Sequence, residues 1–146
     1  MQDRFKFRFW FKDTQEMIYS EKFNDVQTLG QWLFEDRKDV VKMQSTGLKD
    51  KNGKLIYEGD IVNVKIDGWE KSYIPMVVVW DRKEWQLKQY NKNFKQNCSA
   101  CEVKRKQKCQ YCSQYFSATG HTNFKEFYNN EVIGNIYQDK ELLNEI

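Results

Sequence analysis

The amino-acid sequence predicts a mainly β fold, a small β-barrel (SH3-like or related) or strongly bent sheet decorated with short helices. Several short segments alternate apolar and polar residues at a period of two, as half-buried strands do. Turns rich in Gly, Asn and Asp separate these segments, a pattern typical of small barrels. All four cysteines of the 146 residues lie within 98–112, and they add a predicted four-cysteine zinc-knuckle insertion to the barrel.

The N-terminal part of the chain is predicted to form a hairpin, a helix and a further strand. Phe alternates with Lys, Arg and Trp over residues 5–10, so its phenylalanines are predicted to face the core. Residues 17–19 supply the returning arm of the hairpin. Residues 24–35 show helical spacing of their apolar side chains, with Asn24 as the candidate N-cap. Residues 40–43 begin another extended segment.

The rest of the chain is predicted to contain four strands and a short terminal helix. Residues 50–53 and 58–60 are predicted turns, because Asn and Gly tolerate the positive φ that tight turns require. Pro75 indicates an edge position or the start of a strand, since proline cannot donate a ladder hydrogen bond. The predicted strands are 61–66, 73–80, 85–90 and 132–137, and the predicted helix is 141–146.

Composition excludes several classes of protein. Aromatic residues make up 16% of the chain and hydrophobic residues 40%, enough for a packed core and too many for a disordered chain. No apolar run approaches the roughly 18–20 residues of a membrane helix, and the N-terminus lacks the apolar stretch of a signal peptide. The length fits one domain over residues 1–146. We therefore expect a single-domain cytoplasmic protein.

The four cysteines form two CxxC pairs separated by seven residues: Cys98, Cys101, Cys109 and Cys112. Zinc in an all-thiolate site takes four sulfur ligands at tetrahedral corners, and each CxxC turn supplies two. The resulting charge of about −2 would be offset by the cations between the pairs, which also favour the thiolate form. With four protein ligands the site leaves no position for a catalytic water, so the sequence predicts structural Zn²⁺.

Other interpretations of the cysteines stay open. One CxxC pair can serve as a redox or disulfide pair, four cysteines also hold iron–sulfur clusters, and thiols can be inert. His121 is the single histidine of the chain and could replace one cysteine as a ligand. Its neighbours indicate a loop, where a surface or capping role is the commoner one.

Positive charge is concentrated around the cysteines. Residues 82–108 carry nine basic and two acidic side chains, a net charge of +7, whereas residues 1–81 sum to −1 and residues 109–146 to −3. Apolar alternation weakens in the same region, so residues 91–115 are predicted to be an insertion outside the main core. Cations interleaved with aromatic rings can bind nucleic acid; the alternative is a solvated face that balances the metal. The candidate nucleic-acid residues are Lys104, Arg105, Lys106, Lys108 and Tyr111.

Three blocks of sequence resemble the YopX-like family of phage and prophage proteins. The blocks are FKFRFW (5–10) with MIY (17–19), MQSTGLKDKNGK (43–54) with IYEGDIV (56–62), and EVIGNIY (131–137) with ELL (141–143). The resemblance implies a helix-decorated β-barrel encoded by a bacteriophage or prophage and therefore acting inside a host bacterial cell. It implies no activity and no catalytic or binding residues. The cysteine-bearing stretch lies outside the resembling blocks.

Enzymatic chemistry has little support in the sequence. There is no P-loop and no GxGxxG motif, and a Ser–His–acid triad would have to use His121. Glu58 and Asp60 flank Gly59 and could hold a cation, although such turns are more often plain polar connections. The sequence thus predicts a non-enzymatic binding module whose partner is a protein, a second copy of the chain or nucleic acid. A membrane partner or small-molecule substrate is not indicated.

Overall fold

A computed structural model describes residues 2–65, 73–81, 84–90, 115–116 and 130–143. Within these ranges nine strands form two antiparallel sheets, and one sheet curls into a half-barrel, which confirms a mainly β fold. The strands are β1 Phe7–Phe11, β2 Glu16–Tyr19, β3 Val40–Lys49, β4 Leu55–Tyr57, β5 Asp60–Lys65, β6 Tyr73–Asp81, β7 Glu84–Tyr90, β8 Tyr115–Phe116 and β9 Glu131–Asn135. The helix α1 spans Val26–Phe34, and 3₁₀ turns occupy Asp3–Phe5, Ser20–Lys22 and Lys140–Leu143.

The first sheet has the strand order β2-β1-β3-β4. The predicted hairpin is confirmed, with Phe9 of β1 opposite Ile18 of β2. Phe5 does not extend the strand, because it ends the 3₁₀ turn and is half exposed. β3 is much longer than the predicted segment 40–43 and pairs first with β1 and then with β4. Its register shifts around Gly47, whose φ of 78° lies in the left-handed region that favours glycine.

Helix α1 packs on one face of the first sheet. Leu29 joins Phe9 and Val40 in an apolar cluster to which Trp32 adds a partly buried ring. The helix is capped by Asp25 and not by the predicted Asn24: the Asp25 carboxylate accepts the Thr28 N–H at 2.6 Å and the Thr28 hydroxyl at 2.7 Å. The prediction was one residue too early because the sequence places two good capping residues in succession.

The second sheet has the order β8-β7-β6-β5-β9. Its inner face forms the largest apolar cluster, which also includes Ile56 of β4 and so lies between the two sheets. Pro75 pairs with Asn63 of β5, while the register of β6 with β7 begins only at Val77. Pro75 therefore occupies a stretch of β6 near its start that is paired on one side, as proline requires. The buried members of this cluster are Ile56, Val62, Met76, Val78, Leu87 and Val132.

The outer face of the second sheet is covered by the last described residues. Leu143 packs on Ile61 and Val77 through the 3₁₀ turn Lys140–Leu143. This turn covers the first half of the helix predicted for 141–146, and residues 144–146 lie outside the described residues. The last strand ends at Asn135, earlier than predicted, because the Asn135 side-chain oxygen accepts the N–H groups of residues 137 and 138. This turn ends the strand and directs the chain back over the sheet.

The Asp50 side chain links the first sheet to the last strand. Its Oδ1 accepts the N–H groups of Asn52 and Lys54, both at 2.9 Å, and its Oδ2 accepts the Val132 N–H at 3.0 Å. Burial alone would raise the pKa of Asp50, but these backbone donors outweigh it and hold the pKa below its ordinary value of 3.8. The predicted turn 50–53 thus also positions β9.

Among the ranges that the structure covers, no helix is long and apolar enough to cross a membrane.

Replacing Asp50 with Asn is expected to destabilise the fold by about 1–3 kcal/mol, because the amide cannot accept all three N–H groups. The Asp50 carboxylate, whose pKa is lowered, stabilises the fold fully above its unfolded pKa of 3.8 and loses this effect as pH falls through the folded-state pKa. The difference in unfolding free energy between wild type and Asp50→Asn should therefore shrink below pH 3.8. Urea titrations across pH measure this, with exposed Asp36→Asn as the control; a pH-independent difference would contradict it.

Candidate functional site

One group of ionisable side chains is buried where the two sheets meet. The Arg8 guanidinium, from β1, lies 2.7 Å from Oδ1 of Asp60 at the start of β5. It also donates to the Glu58 carbonyl at 3.0 Å and lies 4.9 Å from the centre of the Tyr57 ring. Oδ2 of Asp60 accepts the Tyr57 N–H at 2.8 Å. Arg8, Asp60 and Tyr57 are all buried, so the pair is shielded from solvent.

The predicted turn at 58–60 supplies the backbone of this junction. Gly59 has a φ of 80°, donates to the Val78 carbonyl at 2.8 Å and accepts the Ile136 N–H at 2.9 Å. The sequence suggested that Glu58 and Asp60 could hold a cation. In the structure the Asp60 carboxylate binds the Arg8 guanidinium, and Glu58 contributes its backbone carbonyl.

The electrostatics of the junction indicate a structural role. Burial raises the pKa of Asp60, while Arg8 acts in the opposite direction. Burial also raises the pKa of Glu58 and that of Tyr57. Both carboxylate oxygens of Asp60 are engaged, and Arg8 Nε, though buried, finds no hydrogen-bond partner in the part of the chain described. Arg8 and Asp60 therefore form an internal ion pair that links the two sheets.

A second group of residues lines a surface cleft of about 430 Å³. The cleft lies where the Asp3–Phe5 turn and the bend of β3 meet the adjoining ends of β6 and β7. It is therefore built from both sheets. Its lining residues are Arg4, Phe5, Gln44, Ser45, Thr46, Trp80 and Trp85.

Two tryptophans form the part of the cleft that belongs to the second sheet. Trp80 of β6 and Trp85 of β7 are direct cross-strand partners, and their rings meet edge to face with centroids 4.9 Å apart. Trp85 also packs against the apolar cluster beneath, whereas Trp80 remains 54% exposed. The partly buried Trp85 ring thus holds the exposed Trp80 ring in place.

The first sheet contributes one aromatic ring and a cation. Phe5 is 50% exposed, and the Arg4 guanidinium lies 4.8 Å from the centre of its ring. Gln44 donates from Nε2 to the Arg4 carbonyl at 3.2 Å, which ties the turn to β3. Gly47 is in close contact with Arg4, because an added Cβ would lie 3.0 Å from the Arg4 Cβ. The position of this wall depends on glycine at 47.

The polar side chains of the cleft are largely engaged within the fold. Thr46 Oγ1 donates to the Ile56 carbonyl at 2.9 Å and accepts the Leu48 N–H at 3.1 Å, and Ser45 Oγ accepts the Gly47 N–H at 3.0 Å. The seven lining residues include no carboxylate, histidine or cysteine. The cleft therefore offers ring faces and one cation, which suits the binding of a flat group better than acid–base chemistry.

The residues that the sequence singled out for chemistry lie elsewhere. The four cysteines, the four cations 104–108 and Tyr111, together with His121, all fall outside the described residues. The zinc site and the basic nucleic-acid site therefore stay predictions. Trp85 is the member of the basic aromatic segment that the structure places in the cleft.

Sequence reasoning missed the exposed rings of the cleft. It assigned Phe5 to a core stripe, and it treated Trp80 only as part of a strand. One signal in the sequence points to the pair: Trp80 and Trp85 flank the charged tetrapeptide DRKE at 81–84, which suits a hairpin turn with the two rings opposite each other. The contribution of Arg4 and Phe5 comes from a distant part of the chain and has no local signal.

Comparison with known proteins gives a family and similar solved structures. A family model described as YopX protein matches residues 6–144, a range that contains both sheets and residues 91–115. No curated protein matches the chain. Among solved structures, the crystal structure of protein EF1440 from Enterococcus faecalis is similar, with 22% identity, coverage of 94% of this chain and 96% of that chain, and a TM-score of 0.47.

Replacing Arg8 with Leu is expected to lower the free energy of unfolding by about 3–5 kcal/mol, because it leaves the Asp60 carboxylate buried without a partner. Asp60→Asn added to Arg8→Leu should recover part of the loss by removing that charge. Chemical denaturation of the three variants measures the coupling. Asp39→Asn, which breaks the exposed pair with Arg37, is the control and should change little. Equal losses in the single and double variants would contradict this assignment.

Proposed function

The chain belongs to the YopX protein family, and from this premise we propose that it is a phage- or prophage-encoded, non-enzymatic binding module acting in the cytoplasm of the host bacterium. The curled half-barrel serves as a rigid scaffold, consistent with the small-barrel architecture that the strand pattern predicts. The residues 91–115 are proposed to form a zinc-stabilised insertion within this single domain.

The aromatic cleft is the observation that carries the proposal. Trp80 and Phe5 are half exposed, although other residues that line the same cleft are buried or hydrogen-bonded within the fold. Exposed rings fixed in place by a folded scaffold are typical of recognition surfaces. The ionisable groups at the sheet junction, by contrast, are engaged with one another and hold the fold. Binding through the cleft therefore fits the surface better than catalysis does.

The first candidate partner is a protein, including a second copy of this chain. Large rings with one polar edge, such as Trp, together with Arg, are enriched at the centres of protein interfaces. The second candidate is nucleic acid. A specific observation favours it, since Trp85 of the basic aromatic segment 82–115 lies in the cleft. Neither a membrane nor a small-molecule substrate is part of the proposal.

We further propose that Cys98, Cys101, Cys109 and Cys112 bind one structural Zn²⁺. The support is chemical: two CxxC pairs provide the four thiolates of a closed tetrahedral site. The four cations between the pairs would offset the negative charge that the thiolates leave on the site. Metal binding would supply folding free energy to a segment that has few apolar residues of its own.

The zinc proposal predicts one zinc ion per chain in protein purified without chelator. Native mass spectrometry combined with elemental analysis measures this number. Cys98→Ser and Cys109→Ser should each abolish stoichiometric zinc, because three thiolates no longer close the site. Ser99→Ala lies inside the first CxxC pair without being a ligand and should retain the metal. A mass equal to the metal-free chain with four free thiols would overturn the proposal, and so would iron or a loss of hydrogen mass from disulfides.

The protein-partner proposal predicts that Trp80→Ala weakens self-association or complex formation. The fold should stay intact, because the exposed Trp80 ring contributes little to the packing of the core. Sedimentation velocity over a wide concentration range measures self-association, and circular dichroism monitors the fold. Phe34→Ala is the matched control, since Phe34 on α1 is 89% exposed and is not among the residues that line the cleft. A strictly monomeric wild type would exclude the second copy, and equal effects of both variants would exclude the cleft.

A further inference from the structure

We infer that the aromatic cleft is a stacking site for unpaired bases of a single-stranded nucleic acid. Trp80 and Phe5 would provide the ring faces, and Arg4 would contact the phosphate backbone. The inference rests on the proposed binding function and names the chemistry of the partner.

Trp80 and Phe5 both expose their rings to solvent. Trp80 meets Trp85 edge to face, so a large part of its ring surface, 54% of the residue, remains open to solvent. Phe5 is 50% exposed on the other part of the cleft. A volume of about 430 Å³ is within the range of ligand sites, about 300–1,000 Å³, and leaves room for a flat ring system. Bases stack on such rings whatever their sequence, since every base has a π face.

The cations beside the cleft differ in whether they form ion pairs. Lys6 and Lys49 both contact the Asp3 carboxylate, at 3.1 and 3.5 Å. Arg4, in contrast, makes no ion pair with any residue in the described ranges, and its guanidinium lies over Phe5. A guanidinium held beside an exposed ring can bind a phosphate while the ring stacks on the adjacent base.

Part of the sequence has a net positive charge, which complements a polyanion such as nucleic acid. The sequence places Arg82 and Lys83 between Trp80 and Trp85, and they open the stretch 82–108 with its net charge of +7. Asp81 and Glu84 flank these two cations in the sequence, so residues 81–84 carry no net charge and the excess comes from the residues that follow. A nucleic-acid strand is a polyanion, so its charge is opposite to the net charge of this part of the sequence. A short uncharged peptide would gain nothing from it.

A single strand fits better than a duplex. Bases in a duplex are already stacked on their neighbours, and extruding one costs a few kcal/mol. Unpaired bases in DNA or RNA can stack on Trp80 and Phe5 without this cost. The shared chemistry is a flat base joined to a phosphate, and separate DNA and RNA probes distinguish the two sources.

The test uses the full chain and three fluorescently labelled probes at low and moderate salt. The probes are oligothymidine, oligouridine and a mixed-sequence duplex. Trp80→Ala should weaken binding of the single strands by about tenfold or more, the effect of losing one stacked base. Arg4→Gln should weaken binding several-fold and reduce the slope of affinity against salt by about one phosphate contact. Phe34→Ala should leave both affinity and slope unchanged. Phe5→Ala is a second ring variant in case Trp80→Ala loses its fold.

Three outcomes would overturn the inference. If no oligonucleotide binds at low salt, nucleic acid is not the partner, and self-association that depends on Trp80 would still support the proposed function. If single strands and duplex bind equally and neither ring variant matters, charge alone is responsible and the cleft has no part in it. If Trp80→Ala and Phe5→Ala both leave the preference for single strands unchanged, the cleft does not bind the bases. Tighter binding of single strands than of the duplex, with weaker binding in both Trp80→Ala and Phe5→Ala, confirms the inference.

Discussion

The buried ion pair between Arg8 and Asp60 is the interaction on which the arrangement of the two sheets depends. Arg8 belongs to β1 of the first sheet and Asp60 to β5 of the second, and their side chains meet at 2.7 Å away from solvent. A guanidinium buried in this way requires several acceptors, because desolvating a charge costs more than one contact returns. The Asp60 carboxylate and the Glu58 carbonyl supply them, so the path of the chain from 58 to 60 is constrained.

Gly59 makes this path possible. Its positive φ lets the Glu58 carbonyl face Arg8 while the Gly59 N–H reaches Val78 of β6 and its carbonyl reaches Ile136 after β9. One turn therefore bonds to both sheets and to the segment behind the last strand. Trp10 of β1 stacks on Tyr137 of that same segment, with centroids 6.0 Å apart, and adds an apolar contact between the sheets. The ion pair fixes how the two sheets are oriented. The packed rings and the core between the sheets account for most of the buried apolar surface.

The position of the cleft follows from this junction. Within the first sheet, β3 bends around Gly47, where its pairing passes from β1 to β4. The bend brings Arg4 and Phe5 beside the ends of β6 and β7, where Trp80 and Trp85 face each other. A surface with chemistry thus arises from two chain segments that are distant in sequence. Its aromatic character is local, but the enclosure depends on the packing of one sheet on the other.

Local patterns in the sequence determined the class of the fold and most of its elements. Alternation and turn residues are properties of near neighbours, so the hairpin β1–β2, helix α1, the turns at 50–53 and 58–60 and the strands β5 to β7 could all be predicted. The spacing of the four cysteines is a local pattern too; it predicts a zinc site, and these residues lie outside the described part of the chain. Only the tertiary structure decided that Arg8 is the cation bound at the turn 58–60, that β3 continues to Lys49, and that Phe5 is a surface ring in a cleft with Trp80. These features arise from pairing between distant segments, and no period or motif within either segment records which partner it will meet.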